Sequence, residues 1–232
     1  MPPRTFLLLS CFLAGSIVGT AQTPGPATTQ ADDHNYRSRP VYQTQYDDYL
    51  QTMRGKRCDI VFIGDSITEQ WRWGPGKPVW DKHYAARALN FGQSADRTQN
   101  TIWRLQNLPL DGFAPKVAVL LIGTNNYADS PEDIVAGVKA VIATTEKRFP
   151  GIKFVLISIL PNARATEKMA QANQLLATLH DGAKIHYLDL ASKFTPEGDN
   201  WTGLTKDKLH LSVQGYEMWA EELNPLLAKL LK

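Results

Sequence analysis

A three-layer α/β/α sandwich around a five-stranded parallel sheet is the fold class this sequence predicts, and two patterns predict it. First, apolar runs of strand length recur at 59–63, 88–91, 117–122, 153–159 and 185–190, nearly continuous in Val, Ile and Leu. Such runs suit strands buried on both faces, as in parallel sheets, whereas sheets with one wet face alternate apolar and polar residues. Second, segments of helical character follow the runs, and strand–helix alternation implies crossovers that lay helices on both faces of one sheet. The result is an open sheet of the flavodoxin-like kind. Ligands of such sheets sit outside the carboxyl ends of the strands, so polar residues just after each run are the candidates for chemistry.

The helical segments are expected at 97–108, 130–149, 166–180 and 212–232. The second is the best marked: Ser130 stands as N-cap, Pro131 opens the first turn, and Glu132 and Asp133 follow. Lys147 and Arg148 complement the dipole at its far end, and Pro150-Gly151 stops it.

Upstream of the first strand the chain changes character. Residues 1–21 carry Arg4, an apolar stretch from Phe6 to Val18, and small residues at Gly19 and Ala21. That pattern reads as a secretory signal peptide cut after Ala21, too short for a membrane span, so a secreted or periplasmic protein without stable membrane insertion is expected. Cys11 after Leu8-Leu9-Ser10 offers a lipoprotein alternative, disfavoured because few apolar residues precede it. Residues 22–40, rich in Pro, Thr, Gln and Asp without apolar periodicity, read as a disordered tether, leaving 41–232 as the domain.

With 43% hydrophobic and 21% charged residues, the 232-residue chain can build a sizeable core. The net charge is +2 and the basic residues are scattered, which argues against a nucleic-acid partner. Once Cys11 leaves with the leader, Cys58 is the sole thiol, so no internal disulfide can form. Opening an apolar strand, Cys58 reads as a small buried residue rather than a nucleophile. No His-Glu-x-x-His pattern or paired cysteines occur, so no metal is expected.

Four polar motifs sit at strand ends. Gly64-Asp65-Ser66 follows the first run; Ser66 with Glu69 fits a capping box, yet a sharp strand-to-helix turn there would also present a nucleophilic hydroxyl beside free backbone amides. "DKLHLS", 207–212, sets a carboxylate three residues before an imidazole. On a tight turn Asp207 can accept from the His210 ring, fix its tautomer and leave the far nitrogen as base for a serine. "GTNN", 123–126, is a common turn, but beside a nucleophile the Asn125 amide can donate to an oxyanion. "NFGQSADR", 90–97, follows the second run. The aromatic run Trp71–Trp73 is open to two readings, a wall for sugar or lipid and ordinary packing.

These blocks, in this order, resemble the SGNH or GDSL hydrolase superfamily. "GDSIT", "NFGQSADRTQNTIWRL", "VLLIGTNN" and "DKLHLSVQGY" carry the resemblance over residues 58–231, and the second and fourth look most similar to platelet-activating-factor acetylhydrolase catalytic subunits. The resemblance implies a serine esterase with no metal and no cofactor, with Ser66 as nucleophile, His210 as base and acid, and Asp207 as its orienter. The oxyanion hole would use the backbone N–H of Ser66, the side chain of Asn125 and a backbone N–H from the second block. The family's glycine there corresponds to Ala95, with Gly92 in reserve, and an alanine is not expected to reach the positive φ open to glycine. Asn126 stands where the family has Asp, which keeps the turn and removes a charge.

The expected function is therefore hydrolysis of a short-chain ester, acetyl foremost, of a carbohydrate or lipid-like small molecule. The alternatives are a lysophospholipase or thioesterase acting on longer chains, and a non-catalytic carbohydrate-binding protein on the same fold.

Overall fold

The computed structural model describes residues 25–194, 196–197 and 200–232. After a 3-10 turn at Ala27–Thr29 come α1 (His34–Arg37) and α2 (Pro40–Met53). The first half of the sheet follows as β1 (Ile60–Gly64), α3 (Ser66–Glu69), α4 (Lys77–His83), β2 (Ala88–Gly92), α5 (Thr98–Asn107) and β3 (Val117–Leu121). The second half is α6 (Pro131–Arg148), β4 (Lys153–Ile157), α7 (Thr166–Ala177) and β5 (Ile185–Leu188). A small antiparallel pair, β6 (Pro196–Glu197) and β7 (Asn200–Trp201), precedes the last helix, α8 (Val213–Leu230).

The main sheet has five strands in the order β2-β1-β3-β4-β5, every neighbouring pair parallel. Period-2 side-chain alternation divides it between two cores. Val61, Ile63, Leu89, Phe91, Leu120 and Leu156 face one way, against α2, α5, α6 and α7. Phe62, Val119, Leu121, Val155 and Ile157 face the other, against α4 and α8. Both faces are thus covered, and this is the three-layer fold the alternation predicts. The chain leaves β1 for β2 on one side and reaches β3 on the other, so the strand order reverses at β1. The ends of β1 and β3 flank that switch point, where doubly wound sheets hold ligands.

The amino-terminal segment departs from expectation. Residues 25–40 are not a free tether but lie docked on the domain. Thr28 Oγ1 donates to the Asp133 carbonyl at 2.7 Å, and Thr28's own carbonyl accepts from Thr98 Oγ1 at 2.8 Å. Asn35 Nδ2 reaches Asp96 Oδ1 at 2.7 Å. Composition misses this because polar pairing over such sequence distances leaves no local periodicity. The α2 helix was also unforeseen, although Tyr46, Leu50 and Met53 bury one face at helical spacing. Residues 1–24, with the leader, Cys11 and the start of the tether, lie outside the described residues. Among the described residues no helix is long and apolar enough to cross a membrane.

Trp71 resolves toward packing. Its ring lies 4.5 Å from Tyr216 and 5.2 Å from Trp219, centroid to centroid, inside the second core. Only Trp73 of that run is well exposed. Cys58 is buried, and burial pushes its thiol up to about 11, which keeps it protonated and inert.

Candidate active site

The turn after β1 is tight because nothing larger than hydrogen fits at Gly64, where a Cβ would stand 2.9 Å from Thr68 Cβ. Asp65, not Ser66, caps α3: its Oδ1 accepts the Ile67 N–H at 3.0 Å. Ser66 is therefore the first helical residue, and its hydroxyl is not spent on capping. The Glu69 carboxylate does not close a capping box either. It accepts from Ser94 N–H at 2.8 Å and from the Ser94 hydroxyl, tying α3 to the loop after β2.

The hydroxyl of Ser66 meets His210 Nε2 at 2.9 Å, across a sequence separation of 144 residues. His210 Nδ1 lies 2.6 Å from Asp207 Oδ2. The turn carrying this pair is closed by Lys208 at φ 54°, by Lys208 N–H on the Thr205 carbonyl and by Thr205 N–H on the His210 carbonyl. Asp207 Oδ1 accepts from the Leu209 N–H, the His210 N–H and the Thr205 hydroxyl. Burial works to raise the Asp207 pKa, but the His210 ring and these donors outweigh it and hold the carboxyl well below its usual range. Asp207 is thus an anion wherever His210 works, and an anion at Nδ1 directs the basic lone pair of Nε2 toward Ser66.

The three candidate donors lie just after three neighbouring strands of the sheet, Ser66 after β1, Ala95 after β2 and Asn125 after β3. Among the described residues neither the Ser66 N–H nor the Ala95 N–H has an acceptor. Ala95 adopts φ 64°, so the alanine takes the left-handed backbone that was expected to exclude it. Its neighbours hold it there: Glu69 grips Ser94, and Asp96 N–H bonds the Gln93 carbonyl. Gly92, the reserve donor, gives its N–H to Asn90 Oδ1 at 2.9 Å. It stays glycine for another reason, since a Cβ would press on α3, 2.7 Å from the Thr68 carbonyl carbon. Asn125 Nδ2 donates one hydrogen to the Asp96 carbonyl at 2.9 Å, which leaves the second for a ligand.

Asn126 stabilises this turn in a way an aspartate could not. It is fully buried, accepts the Thr98 N–H at 3.0 Å, and donates to both Gln99 Oε1 and Asp129 Oδ2. An Asp there would lack the donor and face the Asp129 carboxylate.

Several supporting residues lie inside the quoted motifs without having been singled out. Asn90 Nδ2 donates to the Thr68 carbonyl at 2.7 Å, and the Tyr216 hydroxyl donates to the Ile67 carbonyl at 2.6 Å, so the free carbonyls of α3 are satisfied from two sides. Arg164, in the loop after β4, reaches Asn125 and was missed outright; its place just after a strand was the available signal. Among the described residues no group of three His, Cys, Asp or Glu side chains is placed to hold a metal ion.

Residues 62–218 match the profile of the GDSL-like lipase/acylhydrolase family. The chain belongs to that family. It is accordingly a carboxylic ester hydrolase. Among curated relatives of this acylhydrolase is the platelet-activating factor acetylhydrolase IB subunit alpha1 of Rattus norvegicus, 30% identical over 220 residues, covering 92% of this chain and 93% of the relative. The Homo sapiens protein of the same name is 32% identical over 190 residues, covering 79% of this chain and 81% of its own. A crystal structure of a GDSL-like lipase from Bacteroides thetaiotaomicron matches with a TM-score of 0.65 at 19% identity, over 85% of this chain and 99% of that one, a likeness of fold.

Proposed function

We propose that this acylhydrolase removes a short acyl group, acetyl foremost, from an ester of a carbohydrate or lipid-like alcohol, using Ser66, His210 and Asp207. The observation that carries the reading is the unbroken contact from Ser66 Oγ to His210 Nε2 at 2.9 Å and from His210 Nδ1 to Asp207 at 2.6 Å. Ser66 Oγ attacks the ester carbonyl carbon while its proton passes to Nε2. Charge develops on the carbonyl oxygen, where the N–H groups of Ser66 and Ala95 and the Nδ2 of Asn125 receive it. Collapse breaks the bond to the alcohol oxygen, which takes the proton from His210. Water then repeats the sequence, giving its proton to His210, and Ser66 is released as the acid departs. The relatives named acetylhydrolases support the short acyl group. The leader pattern of residues 1–21 supports an exported enzyme.

Treatment with an organophosphate, followed by peptide mass mapping, should place one adduct on Ser66, and intact mass of the native exported protein should correspond to a chain beginning at Gln22. Ser66→Ala should abolish turnover with the fold intact. An adduct on another residue, or full activity in the variant, overturns the assignment; a mature chain beginning at Met1 overturns export. Across p-nitrophenyl esters of rising acyl length, kcat/KM should be highest for acetyl and fall with each added carbon pair. A maximum at eight carbons or beyond would instead make the enzyme a long-chain lipase or thioesterase.

A further inference from the structure

We propose that Arg164 is a positioning residue of the oxyanion site, holding the Asn125 amide with Nδ2 outward and polarising it as a donor. The inference rests on the reading of Asn125 as an oxyanion donor. Arg164 Nη1 and Nη2 lie 3.5 and 3.4 Å from Asn125 Oδ1, and the guanidinium carbon lies 4.8 Å from the centre of the Tyr127 ring. One group thus touches the turn that carries Asn125 twice, by its edge and by its face. Lys168 Nζ adds a third tie, donating to the Tyr127 carbonyl at 2.6 Å.

The orientation of the Asn125 amide is set at both ends. Its NH2 faces a carbonyl, that of Asp96, and its oxygen faces a cation. A flip would set oxygen against oxygen and NH2 against guanidinium, two repulsions in place of two attractions. Contacts of this length act mainly through charge, and a cation at the amide oxygen draws electron density from the nitrogen and strengthens the remaining N–H as a donor. The effect is largest when that N–H meets a full negative charge, which occurs only in the transition state.

The loop bearing Arg164 is also anchored to the base. Ala163 N–H donates to the Lys208 carbonyl at 3.1 Å, within the turn between Asp207 and His210, and Arg164 N–H donates to the Oδ1 of buried Asn162 at 3.1 Å. This loop therefore spans the acid–base turn and the oxyanion amide. Its guanidinium is exposed, so solvent attenuates the charge and the effect on rate should be smaller than loss of a direct donor.

The test is a double-mutant cycle on p-nitrophenyl acetate hydrolysis, with circular dichroism to confirm folding. Arg164→Gln should lower kcat about ten-fold with KM within about two-fold, and Arg164→Lys, which keeps the charge without the fork, should fall between. In an Asn125→Ala background the same Gln substitution should change the rate less than about two-fold, because its target is gone. Where that background turns over too slowly, the rate of Ser66 phosphonylation by an organophosphate supplies the same cycle. A full Arg164→Gln effect persisting without Asn125, an effect confined to KM, or no effect at all overturns the proposal. Unchanged activity in Asn125→Ala alone would instead overturn the oxyanion role of Asn125 itself.

Discussion

Ala95 holds φ at 64°, a backbone region that costs an L-residue roughly 1–2 kcal/mol relative to the right-handed one. The strain persists because the loop is fixed on either side, by Glu69 on Ser94 and by the Asp96 N–H on the Gln93 carbonyl. Ala95→Gly removes the Cβ conflict but loosens the unfolded chain, so a net stabilisation of about 1 kcal/mol is expected, with activity within a few-fold. Chemical denaturation checks it; a destabilised variant would mean that the alanine is unstrained there.

At the scale of one element, α3 is too short to stand alone and is held by its surroundings. Its carbonyls are taken by Asn90 and Tyr216, and its amino end by the fully buried Asp65. Burial pushes the Asp65 carboxyl up to about 7, with Asp96 adding to the shift and the Ile67 N–H, His210 and Arg164 opposing it. Among the described residues its Oδ2 has no hydrogen-bond partner. Because the folded value lies above the unfolded one, near 3.9, the protonated carboxyl favours the folded state, and this contribution is lost as pH rises from about 4 through about 7. Asp65→Asn cannot titrate. Its stability relative to the parent should therefore improve between pH 5 and pH 8, measured by urea unfolding across that range. A difference that does not change with pH would show that Asp65 ionises normally in the fold.

Over the whole molecule, the buried Asp96 joins the amino-terminal segment to the site. Its carboxylate meets Arg104 at 2.7 Å, Thr101 at 3.2 Å and Asn35 at 2.7 Å, while its own carbonyl holds Asn125. Burial works against the Arg104 charge, and Asp96 together with Tyr46 and Glu69 outweighs it, so the guanidinium stays charged inside the fold. Asn35 also donates to the Ser94 carbonyl at 3.0 Å, one residue from Ala95. Asn35→Ala should therefore cost about 1–3 kcal/mol, because a buried carboxylate loses a donor it cannot replace with water. Activity should fall with it as the Ser94–Ala95 loop loosens. Equilibrium unfolding that moves by less than about 0.3 kcal/mol would mean that residues 25–40 are a tether after all.

The five strands of the main sheet, four of the five long helices and the candidate nucleophile, base and acid were legible in the chain itself, α2 being the helix that was not. Burial periodicity, caps and strand-end polar motifs are written in contiguous residues, and a carboxylate three residues from an imidazole is a local fact. The cap of α3 was not, because Asp65 and Ser66 are equally able to cap and the choice depends on a histidine 144 residues away. The φ of Ala95, the docking of Asn35, the burial of Trp71 and the reach of Arg164 to Asn125 were decided by tertiary structure alone. Each is a balance between a local cost and contacts from distant elements, and only the folded chain brings those contacts within range.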